Sequence, residues 1–112
     1  MTQHALKPGA FHILVALLEG ESHGYALLQN AREQEHGKNP LSTASFYRHL
    51  RKLVDTGLAE VVARPAGDDP RRGDYYRLTS AGRQVLVEEK ERLTALLNSL
   101  DGIHPAGRRT RS

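Results

Sequence analysis

Apolar residues recur at helical spacing in four stretches, with strand-like segments only between the third and fourth. The pattern predicts a mainly α fold with a small β-hairpin. The first stretch, Lys7 to Glu19, has Pro8 in a favourable first-turn position and Gly20 as a stop. Its apolar residues divide between two faces: Phe11, Leu14, Val15 and Leu18 on one, Ala10, Ile13 and Leu17 on the other. A helix that is apolar nearly all round needs cover on both sides. One small domain is expected to supply only one of these covers, so the helix points to a dimer.

A short turn at Glu21-Ser22-His23 leads to a second helix, about Gly24 to Gln34, with Tyr25, Leu27, Leu28 and Ala31 as its buried stripe. His36 to Pro40 breaks the pattern and reads as a loop. Ser42 then suits the N-cap of a third helix, because its hydroxyl can accept a bond from an otherwise unpaired N–H. Phe46, Leu50, Leu53 and Gly57 fall on one inward line, and Gly57 is also a stop. The opposite face carries Arg48, Arg51, Lys52 and Asp55, with Ser45 at its start.

Leu58 to Arg64 reads as a strand, Pro65 to Pro70 as a turn-rich loop, and Tyr75 to Leu78 as the returning strand. Thr79 caps a last helix running to about Leu100. Leu86, Leu93 and Leu100 are spaced by sevens, with Leu96 and Leu97 between them and Glu89 interrupting. Nothing remains in the chain for that seam to pack on, which again predicts a homodimer. The expected organisation is a winged-helix domain over residues 1–79, a dimerisation helix over 80–100 and a flexible tail over 101–112.

Composition narrows the picture little. The 112 residues allow one core, and the absence of cysteine excludes disulfides and thiolate chemistry. The longest apolar run, Ile13 to Leu18, is too short to cross a bilayer, and no basic segment makes it a secretory signal. A cytoplasmic protein is expected. The net charge of +3 owes much to Arg108, Arg109 and Arg111 in the tail. Of the 16 basic residues those three aside, 13 remain against 13 acidic ones, so any attraction to DNA must come from a local patch.

Such a patch is present. The order of helices, strands and charged loop is that of a winged helix-turn-helix, whose third helix enters the major groove while the hairpin lies on the flanking backbone. Ser42, Thr43 and Ser45 crowd the third helix's N-terminus, where hydroxyls and N–H groups can hold a phosphate. Arg48, Arg51 and Lys52 are placed to read guanine edges or neutralise phosphates, and Arg71 and Arg72 to reach the backbone or a minor groove. Tyr47 sits between the core seam and this face, so packing and DNA contact both stay open. Arg71 and Arg72 have a second reading too, pairing with Asp68, Asp69 or Asp74 to hold the hairpin together.

Several segments carry a resemblance: His23-Gly24-Tyr25-Ala26-Leu27, Ser42 to Tyr47, Gly57-Leu58, and Asp69-Pro70-Arg71-Arg72 leading to Tyr75-Tyr76-Arg77-Leu78-Thr79. In order and spacing the chain resembles the PadR family of bacterial transcriptional regulators from about Leu6 to Leu93. The resemblance implies a winged helix, a C-terminal dimerisation helix and repression relieved by a small molecule. It departs at Thr43-Ala44-Ser45-Phe46-Tyr47, where the family tends to have Pro-Gly-Thr-Leu-Tyr. Short members that hold flat aromatic drugs use tryptophans, and this chain has none.

The expected partners are therefore a second copy, double-stranded DNA with an inverted-repeat operator, and a small-molecule effector, with no membrane. The expected dimer surface comprises Phe11, Leu14, Leu18, Leu86, Leu93, Leu96, Leu97 and Leu100, with Leu14, Leu93 and Leu97 walling the effector site. No cofactor or metal is expected: His4, His12, His23, His36, His49 and His104 include no pair at chelating spacing. Neither is an enzyme. Glu88, Glu89 and Glu91 share their patch with Lys90 and Arg92, as an exposed face does and an acid–base pair does not. A winged helix serving only protein interaction is the alternative function.

Overall fold

The computed structural model describes residues 6–34 and 41–104. The expected loop at His36 to Pro40 and the arginine-bearing end of the tail lie outside them. Helix α1 spans Pro8–Leu17, with proline in its first turn, and the chain turns through Gly20 at φ 125°. Helix α2 spans Gly24–Gln34, the bounds that its periodicity predicts. Helix α3 spans Thr43–Asp55, and the Ser42 hydroxyl accepts the Ser45 N–H at 3.1 Å as an N-cap.

The end of α3 is a Schellman motif. Gly57, at φ 81°, donates to the Val54 carbonyl at 3.0 Å, and Leu58 donates to the Leu53 carbonyl at 2.9 Å. Only a residue free to take positive φ closes this turn without strain. The chain is thereby aimed straight into strand β2, Ala59–Val62. A single 3-10 turn at Pro70–Arg72 interrupts the hairpin loop before strand β3, Tyr75–Leu78. Helix α4, Ser80–Ser99, starts on Thr79, whose hydroxyl accepts from the Gly82 N–H and donates to the Gly57 carbonyl at 2.7 Å.

The hairpin gains a third strand that the sequence does not announce. Within the expected turn, Ser22–His23 forms β1 and pairs antiparallel with β3, opposite Tyr76 and Tyr75. The sheet order is β1-β3-β2, with Ala59 opposite Leu78 and Val62 opposite Tyr75. Two residues carry no alternation to read, and their pairing rests on the neighbouring strand's free edge.

One core unites α1, α2 and α3 with the sheet: Ile13, Leu14, Leu17, Leu27, Phe46 and Leu50 are its centre. This corrects the reading of α1. Leu14 is 0 % exposed inside its own protomer, so it has no surface to give a partner subunit or an effector. Ala10, Ile13 and Leu17 are buried in the same core, which covers most of both faces. Leu18 alone of the expected dimer residues on α1 is exposed, and Phe11 is half-buried. Tyr25 is also displaced from the expected stripe: it is 64 % exposed, and Gly24 is buried instead.

Helix α4 behaves differently along its length. Val85 and Leu86 pack on the core, while every residue from Glu91 to Leu100 is exposed. The molecule is accordingly elongated, 64 Å on its long axis.

Candidate nucleic-acid interface

The amino end of α3 is built by three hydroxyls and an arginine from another helix. Ser42 caps the helix, Thr43 stands exposed, and Ser45 accepts from the Arg48 guanidinium at 3.1 Å. From α2, Arg32 donates through Nε to the Leu41 carbonyl at 2.8 Å and reaches the Thr43 hydroxyl at 3.5 Å. Arg32 thus ties the start of α3 to the preceding helix. Sequence reasoning passed over it because a single arginine at the polar end of α2 looks like a solvated residue.

Tyr47 is half-exposed, and its buried side packs within the domain. Its ring meets Phe46 edge-on at 4.8 Å, and its hydroxyl lies against the Cα of Gly24, where a Cβ would come within 3.0 Å. The small residue at the start of α2 leaves room for that ring. Tyr76 of β3 completes the cluster. Burial, then Asp74 and Tyr47, push its phenol above the ordinary value, with Arg51 opposing.

The basic face of α3 divides into two flanks, since successive residues turn by about 100°. Tyr47 and Arg51 lie toward β3 and its loop, while His49, Lys52 and Thr56 line a groove on the other side, with Arg48 at its margin. Both flanks remain solvent-facing: Arg48, Arg51 and Lys52 are exposed.

The hairpin arginines are paired within the loop. Arg72 reaches Asp68 at 2.7 Å, and the buried Tyr75 donates its hydroxyl to the other oxygen of Asp68 at 2.8 Å. Arg71 meets both oxygens of Asp69 at 3.2 Å, and Asp69 also accepts the Arg71 N–H at 2.9 Å. These bonds hold the Asp69 carboxyl below its usual range. Arg71 nevertheless stays 90 % exposed, so its pair is open to exchange with an incoming anion. On the sheet's outer face Arg77 binds Glu60 at 2.6 Å and approaches Glu21 at 3.5 Å.

Among the described residues no three His, Asp or Glu side chains gather as a metal site, and no helix is long and apolar enough to cross a membrane. On α4 the interrupting Glu89 is paired with Arg92, which holds its carboxyl below the ordinary value.

Solved structures of similar shape include two clostridial transcription regulators. A transcriptional regulator from Clostridium thermocellum superposes with a TM-score of 0.67 at 22 % identity, over 86 % of this chain and 92 % of its own. A PadR family transcription regulator from Clostridium difficile R20291 gives 0.70 at 18 %, over 85 % and 96 %. The protein smu.1704 from Streptococcus mutans UA159 gives 0.65 at 20 %, over 98 % and 100 %. At these identities the likeness establishes the fold, a winged helix. No curated protein matches the sequence. The model of the PadR-like family of transcriptional regulators matches residues 13–88, from the core of α1 through the hairpin into α4, and the chain belongs to that family.

Proposed function

We propose that the protein is a cytoplasmic, sequence-specific DNA-binding regulator that acts as a homodimer, represses transcription and is released by a small-molecule effector. One observation carries this reading. The capped start of α3 presents Ser42, Thr43 and Ser45 beside exposed Tyr47, Arg48, Arg51 and Lys52, next to a hairpin bearing Arg71 and Arg72. Hydroxyls and N–H groups at a helix start suit phosphate, and arginines on the exposed face suit base edges.

The dimer reading is supported by α4. Leu93, Leu96, Leu97, Leu100 and Ile103 are exposed, and Leu97 is open to 65 % of its surface. A contiguous apolar stripe of this kind marks an interface, and a second copy of the same helix is its self-complementary cover. Phe11, Leu18 and Leu86 are assigned to the same proposed dimer surface. Two recognition helices related by a two-fold axis would enter successive major grooves roughly 34 Å apart, on an inverted-repeat operator. An effector held by Leu93 and Leu97 at the interface would release DNA by favouring a dimer with the wrong spacing.

A protein-interaction module is the second reading, and one observation favours it: both hairpin arginines already have aspartate partners. Fluorescence anisotropy separates the two. The full chain is titrated into a duplex from its own upstream region and into a scrambled duplex at near-physiological salt. A regulator binds the native duplex selectively, one dimer per site. A module binds neither.

A further inference from the structure

The groove beside α3 shares Arg48 and Lys52 with the proposed DNA face, while the rest of its lining belongs neither to that face nor to the residues of the proposed dimer surface. It encloses about 710 Å³, within the range of small-molecule sites. Its floor is apolar, formed by Leu6 and Ala10 at the start of α1, Leu53 and Leu58 around the end of α3, and Val85 of α4. Its rim is cationic, with Lys7 on one side and Arg48 and Lys52 on the other, and no lining residue is acidic.

His49, on the wall, senses that imbalance. It lies against the first turn of α1, where a Cβ on Gly9 would approach its ring to 2.8 Å. Burial first, then Arg48 and Lys7, oppose its protonation and push it below the ordinary histidine value. Among the hydrogen bonds and ion pairs of the described residues, no carboxylate answers Lys7, Arg48 or Lys52, whereas Arg71, Arg72 and Arg77 have acidic partners.

We infer that this groove binds an amphiphile with a carboxylate head, the apolar body lying on Leu6, Ala10, Leu53 and Val85 and the head between Lys7 and the Arg48–Lys52 edge of α3. A neutral apolar ligand would leave the cations unanswered, and a sugar phosphate would leave the floor wet. Two of the three cations belong to the helix proposed to contact DNA. A bound carboxylate would therefore compete with phosphate for Arg48 and Lys52 inside a single protomer. That consequence rests on the DNA reading, whereas the binding itself does not.

The test uses decanoate and decanol with the full-length wild-type protein, by isothermal titration calorimetry below the micellising concentration. Decanoate is expected to bind once per chain and more tightly than decanol. Lys7→Gln, outside the proposed DNA face, is expected to weaken decanoate about fivefold, as one partly exposed charge pair would, and to leave decanol unchanged. Val85→Asp, which sets a carboxylate on the floor, is expected to abolish decanoate binding with the circular dichroism spectrum intact. No decanoate binding, equal binding of decanoate and decanol, or indifference to Lys7→Gln would each overturn the inference. A separate anisotropy titration with decanoate present reads the competition. If wild-type protein binds no DNA but holds decanoate through Lys7, the DNA reading fails and the groove stands. If DNA binds and decanoate does not, the reverse holds.

Discussion

The hydroxyl of Tyr75, in the central strand of the sheet, donates to Asp68 in the hairpin loop at 2.8 Å, with Arg72 closing the same carboxylate from the other side. A loop whose residues are largely exposed is thereby tied to the sheet. Tyr75→Phe deletes the donor and keeps the ring, so it should cost about 1 kcal/mol. For a domain of this size that is a fall of roughly 4–8 °C in Tm, measurable by circular dichroism. An unchanged midpoint would mean that the loop is held by Arg72 alone.

Arg32 makes a comparable tie at the other end of the proposed DNA face. Arg32→Ala removes the bonds to Leu41 and Thr43 and leaves the recognition face chemically intact. The expected outcome is a severalfold loss of DNA affinity with the dimer unchanged in analytical ultracentrifugation. Full affinity in this variant would show that α3 needs no help from α2 to hold its register.

Gly82 offers the sharpest stability test. A Cβ there would sit 2.1 Å from the Leu58 carbonyl oxygen and 2.8 Å from Leu78. Alanine would gain about 1 kcal/mol of helix propensity. The clash is with backbone that the Schellman turn and the Thr79 bonds hold in place, and forced repacking of this kind costs about 1–3 kcal/mol or more. Gly82→Ala should therefore be destabilising on balance, read as a lower urea midpoint. A stabilised variant would contradict the packing of α4 on the start of β2.

Much of this was legible in the residues, and the failures share a cause. Ser42 and Thr79 act as the caps that their residue types predict, and α2 has the predicted bounds, because capping and helical periodicity are local signals. Strand β1, the burial of Leu14, the exposure of Tyr25 and the reach of Arg32 are tertiary. Each depends on what lies opposite, which no spacing along the chain encodes. The same holds for the basic face of α3: its charges are plain in the sequence, but the groove that takes Lys52 and His49 away from the hairpin side is made by α1 and α4.

His49 makes stability depend on pH. Its folded value lies below the ordinary 6.5, so the unfolded chain binds the proton more readily. Its contribution is neutral well above pH 6.5 and becomes destabilising as pH falls through 6.5 toward the folded value. His49→Gln should flatten this decline between about pH 7 and pH 5 in urea unfolding. An identical pH profile in wild type and variant would place the titration elsewhere.

The central claim is that α3 reads DNA. The most direct measurement is the anisotropy titration of the upstream duplex with wild type and with Arg48→Ala/Arg51→Ala, the variant's fold and dimer confirmed alongside. Loss of two contacts at about 1–3 kcal/mol each predicts a drop in affinity of at least about tenfold, and selectivity over the scrambled duplex should fall with it. Unchanged, selective binding by the double variant would contradict the assignment of this face.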